Sequence, residues 1–178
     1  INMAVYQGAT AFKRISEVID KKIQIFEDRN NPELKIKNSE INFKNVSFKY
    51  ATTKAQAIKN IDLNIQGNTM AAFVGHSGAG KSTIINLLPR FYDPIEGKIE
   101  IDKQDIKKVS LKSLRKNLSL VSQDVILFDD TIKNNISYAK NNARQEEIET
   151  ACKFAAADEF IQKLPNGYDT LIGENGVR

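Results

Sequence analysis

Gly75-His76-Ser77-Gly78-Ala79-Gly80-Lys81-Ser82-Thr83 places two glycines, a lysine and a hydroxyl at the spacing G-x-x-x-x-G-K-[ST], and this stretch decides the fold. Ahead of it, Met70 to Val74 is a short apolar run that reads as a buried strand. Behind it, Ile84, Ile85, Leu87 and Leu88 recur at helical spacing between Ser82 and Phe91. Strand, glycine loop and helix in that order make an anion cradle. Gly75, Gly78 and Gly80 admit backbone conformations closed to other residues, so successive N–H groups can turn inward with no side chain in the way. A helix starting near Lys81 adds unpaired N–H groups and the positive end of its dipole. Lys81 brings a mobile full charge for terminal phosphates, and the Ser82 hydroxyl can ligate Mg²⁺. The sum is a site for a nucleoside triphosphate.

Composition agrees with a folded domain around that loop. At 178 residues, with 41% apolar and 27% charged, the chain can bury one sizeable core and is not of the disordered class. The net charge of +4 comes from 26 basic against 22 acidic residues scattered along the sequence. That imbalance could assist binding of a polyanionic nucleotide or an anionic membrane surface, a lysine-rich soluble surface is the simpler explanation, and no nucleic-acid module stands out. Cys152 is the only cysteine, which excludes an internal disulfide and a cysteine zinc site and suits a reducing cytosol. His76 is the only histidine, so His-pair metal sites are excluded and its side chain is expected to face outward from the loop. No run of about 18 apolar residues and no secretory leader pattern is present, so this stretch is expected neither to span a membrane nor to be exported. The chain lacks an initiator Met and ends abruptly at Arg178, as a piece of a longer protein would.

From residue 4 to 26, Val5, Phe12, Ile15, Ile19, Ile23 and Phe26 step by threes and fours among charged residues, an amphipathic helix. It either packs on the domain that follows or continues an upstream segment; periodicity does not choose. Glu27 to Asn38, with Asn30-Asn31-Pro32, reads as a linker, and the expected division is 1–28 for the helix and 29–178 for the domain. Between Glu40 and Tyr50 the apolar alternation slips once near Lys44-Asn45, a half-buried strand with a bulge or turn there. Ile61, Leu63 and Ile65 alternate likewise ahead of Gly67-Asn68. Two such strands imply a small antiparallel sheet beside a buried parallel one. Asp93 to Gly97 reads as a turn, Lys98 to Ile101 as a strand, Leu111 to Lys116 as a short helix and Leu118 to Val121 as a third core strand. Arg144 to Leu164 reads as helix broken near Ala157-Asp158, ended by Pro165-Asn166-Gly167.

These residues together resemble the nucleotide-binding domain of an ATP-binding cassette (ABC) transporter, most similar to exporter half-transporters of the lipid A flippase and multidrug type. Gly75 to Thr83 matches the family's Walker A loop, and Tyr50, ending Val46-Ser47-Phe48-Lys49-Tyr50, matches the aromatic that stacks on adenine. Gln123, in Leu120-Val121-Ser122-Gln123-Asp124, matches the Q-loop glutamine that completes the Mg²⁺ shell. Leu127-Phe128, Thr131-Ile132 and Asn135-Ile136 match the exporter segment after the Q-loop, and Gly173-Glu174-Asn175-Gly176 a short exporter motif ahead of the signature sequence. Residues 1 to about 26 look like the cytoplasmic end of the last transmembrane helix. On the residues alone, Tyr50 also suits a half-buried strand end and Gln123 an ordinary surface position.

The resemblance implies a P-loop NTPase (RecA-like) α/β core with an antiparallel β subdomain, truncated and preceded by an N-terminal helix. It implies ATP and Mg²⁺ as ligands. The partners it implies are a membrane-spanning domain of the same chain and a second copy of the half-transporter, at the cytoplasmic face of the inner membrane, with no nucleic acid. Lys81 and Gln123 take catalytic roles, Ser82 and Gln123 metal roles, and Tyr50 with Gly75, His76, Ser77, Gly78, Ala79, Gly80, Lys81, Ser82 and Thr83 the nucleotide-binding role. The family's Leu-Ser-Gly-Gly signature, Walker B aspartate with its catalytic glutamate, and switch histidine do not occur here, so these residues alone are expected not to hydrolyse ATP. Lys103 stands where relatives commonly carry Gly and would be strained if the turn needs a positive φ. The rival readings are a soluble P-loop kinase or GTPase and a non-transport ABC protein of DNA repair or translation.

Overall fold

A computed structural model describes residues 2–20, 25–122, 126–140 and 142–173, with side chains from residue 8 onward. The chain divides into two compact units, residues 1–119 and 120–178.

The first unit opens with helix α1 (Asn2–Ile19), whose last turn is closed by the Asp20 N–H on the Ser16 carbonyl. Phe12, Ile15, Val18 and Ile19 are all more than half exposed, so these four apolar residues of α1 are not buried on the domain that follows. Four antiparallel strands follow in the order β2-β1-β3-β4: β1 (Ile41–Phe48), β2 (Ile58–Ile65), β3 (Glu96–Ile101) and β4 (Gln104–Asp105). The slip read at Lys44-Asn45 is a bulge. The β1–β2 register shifts between Phe43 and Val46, the β1–β3 register between Lys44 and Ser47, and Asn45 sits at φ 50°. Its N–H is taken by Asp62 Oδ1 at 2.9 Å. Gly97 is opposite at φ 76°, where a Cβ would lie 2.2 Å from the Asn45 carbonyl oxygen.

After the bulge, Val46, Ser47 and Phe48 are all buried. Phe43, Phe48, Ile58, Ile99 and Ile101 form the core with Leu87 of α2 (Lys81–Leu87), Ile106 of a single 3₁₀ turn, Val109, and Leu114 of α3 (Leu111–Lys116). Each such side chain contributes about 1.5–3 kcal/mol by leaving water. α3 coincides with the helix read from the sequence, and Ser110 caps it by accepting the Ser113 N–H.

Two expected core strands are not strands. Met70 to Val74 and Leu118 to Val121 pair with nothing among the described residues, and Met70, Val74 and Val121 are at least 90% exposed. A strand exists only where a neighbour takes its N–H and C=O groups. The four-stranded sheet ends at β2 and β4, and no parallel ladder occurs among the described residues.

In the second unit β5 (Asp130–Thr131) pairs antiparallel with β6 (Leu171–Ile172), with α4 (Ile132–Ser137), α5 (Gln145–Phe154) and α6 (Asp158–Gln162) between them. Ile132, Ile148, Cys152 and Ile161 form its core. The break expected near Ala157 is a left-handed C-cap: Ala156 is at φ 55°, the Ala157 N–H reaches the Cys152 carbonyl at 2.8 Å and the Ala156 N–H that of Lys153. Asn135 ties the chain ahead of α4, accepting the Phe128 N–H and donating to the Phe128 and Thr131 carbonyls.

Candidate functional site

The glycine loop has the backbone its sequence requires. Gly75, Gly78 and Gly80 lie at φ 152°, 81° and 87°, in the region glycine alone enters freely. Gly80 is needed twice over, because it is the left-handed residue that starts α2 and a Cβ on it would lie 2.7 Å from the Ala57 carbonyl oxygen. At Gly78 a Cβ would meet nothing within 4 Å, so that part of the loop is open to a ligand. The Ala79 N–H donates to the His76 carbonyl, tightening the turn, and the Ile84 N–H to the Gly80 carbonyl, beginning the helix. The N–H groups of the first helical turn have no acceptor within the helix.

Lys81 folds its side chain back over the loop. Its Nζ donates to the Gly75 carbonyl at 2.9 Å and the His76 carbonyl at 2.8 Å. His76 and Ser77 are exposed, as is Ser82 at the second position of α2. Thr83 differs from Ser82: it is buried, and its Oγ1 lies 3.0 Å from Tyr50 Oη.

Tyr50 follows β1, with its ring edge-on to Phe48 at 4.8 Å and to Tyr92 at 5.2 Å. Beside it is a cavity of about 440 Å³ lined by Phe48, Lys49, Tyr50, Thr52, Tyr92 and Ile95 among others. A volume of this order suits a small planar group. Tyr50, Thr83 and the loop are therefore one contiguous arrangement. Tyr92 was missed from the sequence; its only signal is an aromatic pair, Phe91-Tyr92, just past the phosphate helix.

Gln123 and Glu174 to Gly176 lie outside the described residues. Among the described residues no cluster of histidine, cysteine, aspartate and glutamate could hold a metal by itself, and no helix is long and apolar enough to cross a membrane.

Left-handed glycines ahead of a helix, a lysine on the loop and a hydroxyl in the first turn define a P-loop domain that binds a nucleoside triphosphate. Residues 58–176 match the ABC transporter family, and the chain belongs to it. Membership carries ATP binding, and the chain is an ATP-binding domain of that family. It is 46% identical over 178 residues to the ATP-dependent lipid A-core flippase of Photorhabdus laumondii subsp. laumondii, covering 99% of this chain and 30% of that relative. With the flippase of Legionella pneumophila (strain Paris) the identity is 44%, with the same coverage of each. Among solved structures, a bacterial Atm1-family ABC exporter with ATP bound superposes with a TM-score of 0.87 at 42% identity, covering 97% of this chain and 30% of that one. The chain thus spans about 30% of the length of the relatives it matches.

Proposed function

We propose that this chain is the nucleotide-binding part of an ABC exporter that couples MgATP binding and hydrolysis to moving a lipidic or amphipathic solute across a membrane. The observation that carries the reading is the Gly75–Thr83 loop, with Lys81 drawn onto it and Tyr50 tied to its helix. Amides between Gly75 and Thr83 receive the triphosphate. Lys81 neutralises its terminal phosphates, and Tyr50 offers a ring face to adenine.

Mg²⁺ fits this site as a companion of the nucleotide. The exposed Ser82 hydroxyl is a single oxygen ligand with no metal-holding carboxylate cluster among the described residues, which suits an ion that keeps several waters and takes its remaining ligands from phosphates. Ser82 and Gln123 would hold it, and when bound it offsets charge developing on the transferred phosphoryl group. The catalytic assignment rests on Lys81 and Gln123.

The intact protein would place this domain at the cytoplasmic face of the inner membrane, joined through residues 1–28 to a membrane-spanning domain of the same chain and paired with a second copy. Residues 29–178 form the partial nucleotide-binding domain. Relatives named as lipid A-core flippases support the solute class. The family's signature loop, Walker B pair and switch histidine are not among the 178 residues and no general base can be assigned from them, so these residues alone are expected to bind ATP weakly at best and not to turn it over.

The test is the full-length protein in lipid vesicles. ATP-dependent movement of a labelled amphipathic lipid across the bilayer, with ATP preferred over GTP, is the expected result. GTP preference, or phosphoryl transfer to a small acceptor without lipid movement, would overturn it.

A further inference from the structure

The segment after α1 is fastened to the stretch that follows the phosphate helix. The Phe26 carbonyl accepts from Arg90 Nη2 at 3.1 Å, and Glu27 Oε1 accepts the Leu111 N–H at the start of α3 at 2.7 Å. Further along, the Pro32 carbonyl accepts the Ser110 N–H, and the Leu34 N–H donates to Ser113 Oγ with the Leu34 side chain in the core. Arg90 makes the link to α2. Its own N–H closes on the Leu87 carbonyl, and its guanidinium reaches Asp93 and the carbonyls of Ile106 and Phe26. A buried ion pair adds little stability over an apolar pair of the same size, so what this one supplies is position. α2 is seven residues long, about 10 Å, so whatever fixes its first turn fixes Arg90 as well. Ile25, one residue before Phe26, also lines the cavity beside Tyr50.

We propose that Arg90 is a positioning residue through which the nucleotide site and α1 act on each other: nucleotide seated at the start of α2 holds Arg90 on the Phe26 carbonyl, and that bond holds the chain leading from α1 against the domain. This rests on the nucleotide-site reading and extends it to regulation. The two states are the segment seated, with the Phe26 and Glu27 bonds made, and the segment lifted at residues 25 to 27. A ligand that favours the seated state is bound more tightly by it in equal measure. A displacement of α1 in the intact protein is then felt at the phosphate loop.

The experiment uses the full-length protein in vesicles of phosphatidylethanolamine and phosphatidylglycerol, with magnesium AMP-PNP, an ATP analogue that is not hydrolysed, as the probe. Direct binding is measured alongside backbone amide hydrogen exchange in residues 25–34. In wild type AMP-PNP should slow that exchange about fivefold, the scale of one net hydrogen bond. Arg90→Lys keeps a charge facing Asp93 but lacks the planar fork that serves three acceptors. The slowing should disappear and AMP-PNP affinity should fall by the same factor. Glu27→Ala unfastens the segment from α3 without touching α2; it should reduce slowing and affinity together, and it carries the comparison if Arg90→Lys does not fold. Full slowing in either variant overturns the proposal. So does lost slowing with AMP-PNP affinity unchanged, the mark of a merely structural tie. Wild type that binds AMP-PNP without slowing sinks the joint alone, whereas wild type that does not bind AMP-PNP sinks the nucleotide-site reading.

Discussion

The Lys81 ammonium lies 2.9 Å from the carbonyl oxygen of Gly75, the residue that opens the loop, so the charge closes the loop on itself. An anion seated on the loop amides meets that charge at contact range. Lys81→Ala leaves the terminal phosphates uncompensated where negative charge builds during transfer. Hydrolysis by the full-length protein should fall by about 10²–10³-fold, the scale of losing one preorganised donor. The check is steady-state phosphate release; near-normal turnover would remove Lys81 from the site.

Arg90, only 1% exposed, ends the turn after α2 at φ 52° and grips Asp93 with Nε and Nη2 at 2.9 and 3.0 Å. The same guanidinium donates to the carbonyls of Ile106 and Phe26, so it fastens the segment after α1 to the end of the phosphate helix. Arg90→Met removes one partner of a buried pair and orphans two carbonyls. Asp93 keeps some access to water, which places the loss near the low end for such pairs, about 3 kcal/mol. Denaturant titration should show the midpoint fall, with Asp93→Asn losing less.

What the sequence disclosed follows from which features are local. The glycine positions, the bulge at Lys44-Asn45, α3 and the break at Ala156 all depend on neighbours within a few residues, and all are in the structure. Met70 to Val74 was misread as a strand because an apolar run records suitability for burial, whereas strand formation needs a partner that local sequence does not name. The motif sets the Thr83 hydroxyl beside that of Ser82 and says nothing of what else it touches in the fold. The burial of Thr83 against Tyr50 depends on how α2 lies over the end of β1, a tertiary fact. Tyr92 entered the cavity wall for the same reason.

Asp102 gathers four backbone donors: Oδ2 accepts the N–H groups of Lys37, Asn38 and Ser39, and Oδ1 that of Glu40. These donors, Lys37 first, hold its carboxyl below the usual aspartate range against the opposing effect of burial. A depressed folded-state value means the contribution is fully present above the unfolded-chain value, near pH 4, and is lost as pH falls through the lower folded value. Asp102→Asn turns an NH₂ or a single oxygen toward donors that need two. The variant should be less stable at neutral pH, and its acid limb below about pH 4 should be flatter than wild type. Denaturant midpoints taken across that range decide it; parallel limbs would show that Asp102 is not the titrating group.

The β3–β4 hairpin turns on Asp102 and Lys103, at φ 48° and 65°, the left-handed pair of a two-residue type I′ turn between Ile101 and Gln104. The strain foreseen for Lys103 is therefore present, since a Cβ in this region crowds the following carbonyl at a cost of about 1–2 kcal/mol. Lys103→Gly removes that crowding, and the freer unfolded chain returns part of the gain, leaving a net stabilisation of about 0.5–1 kcal/mol. Lys103→Ala keeps the Cβ and should stay within about 0.5 kcal/mol of wild type. The two variants share the loss of charge, so the difference between their melting temperatures isolates the backbone effect, and a glycine variant no more stable than the alanine one would show that this turn carries no strain.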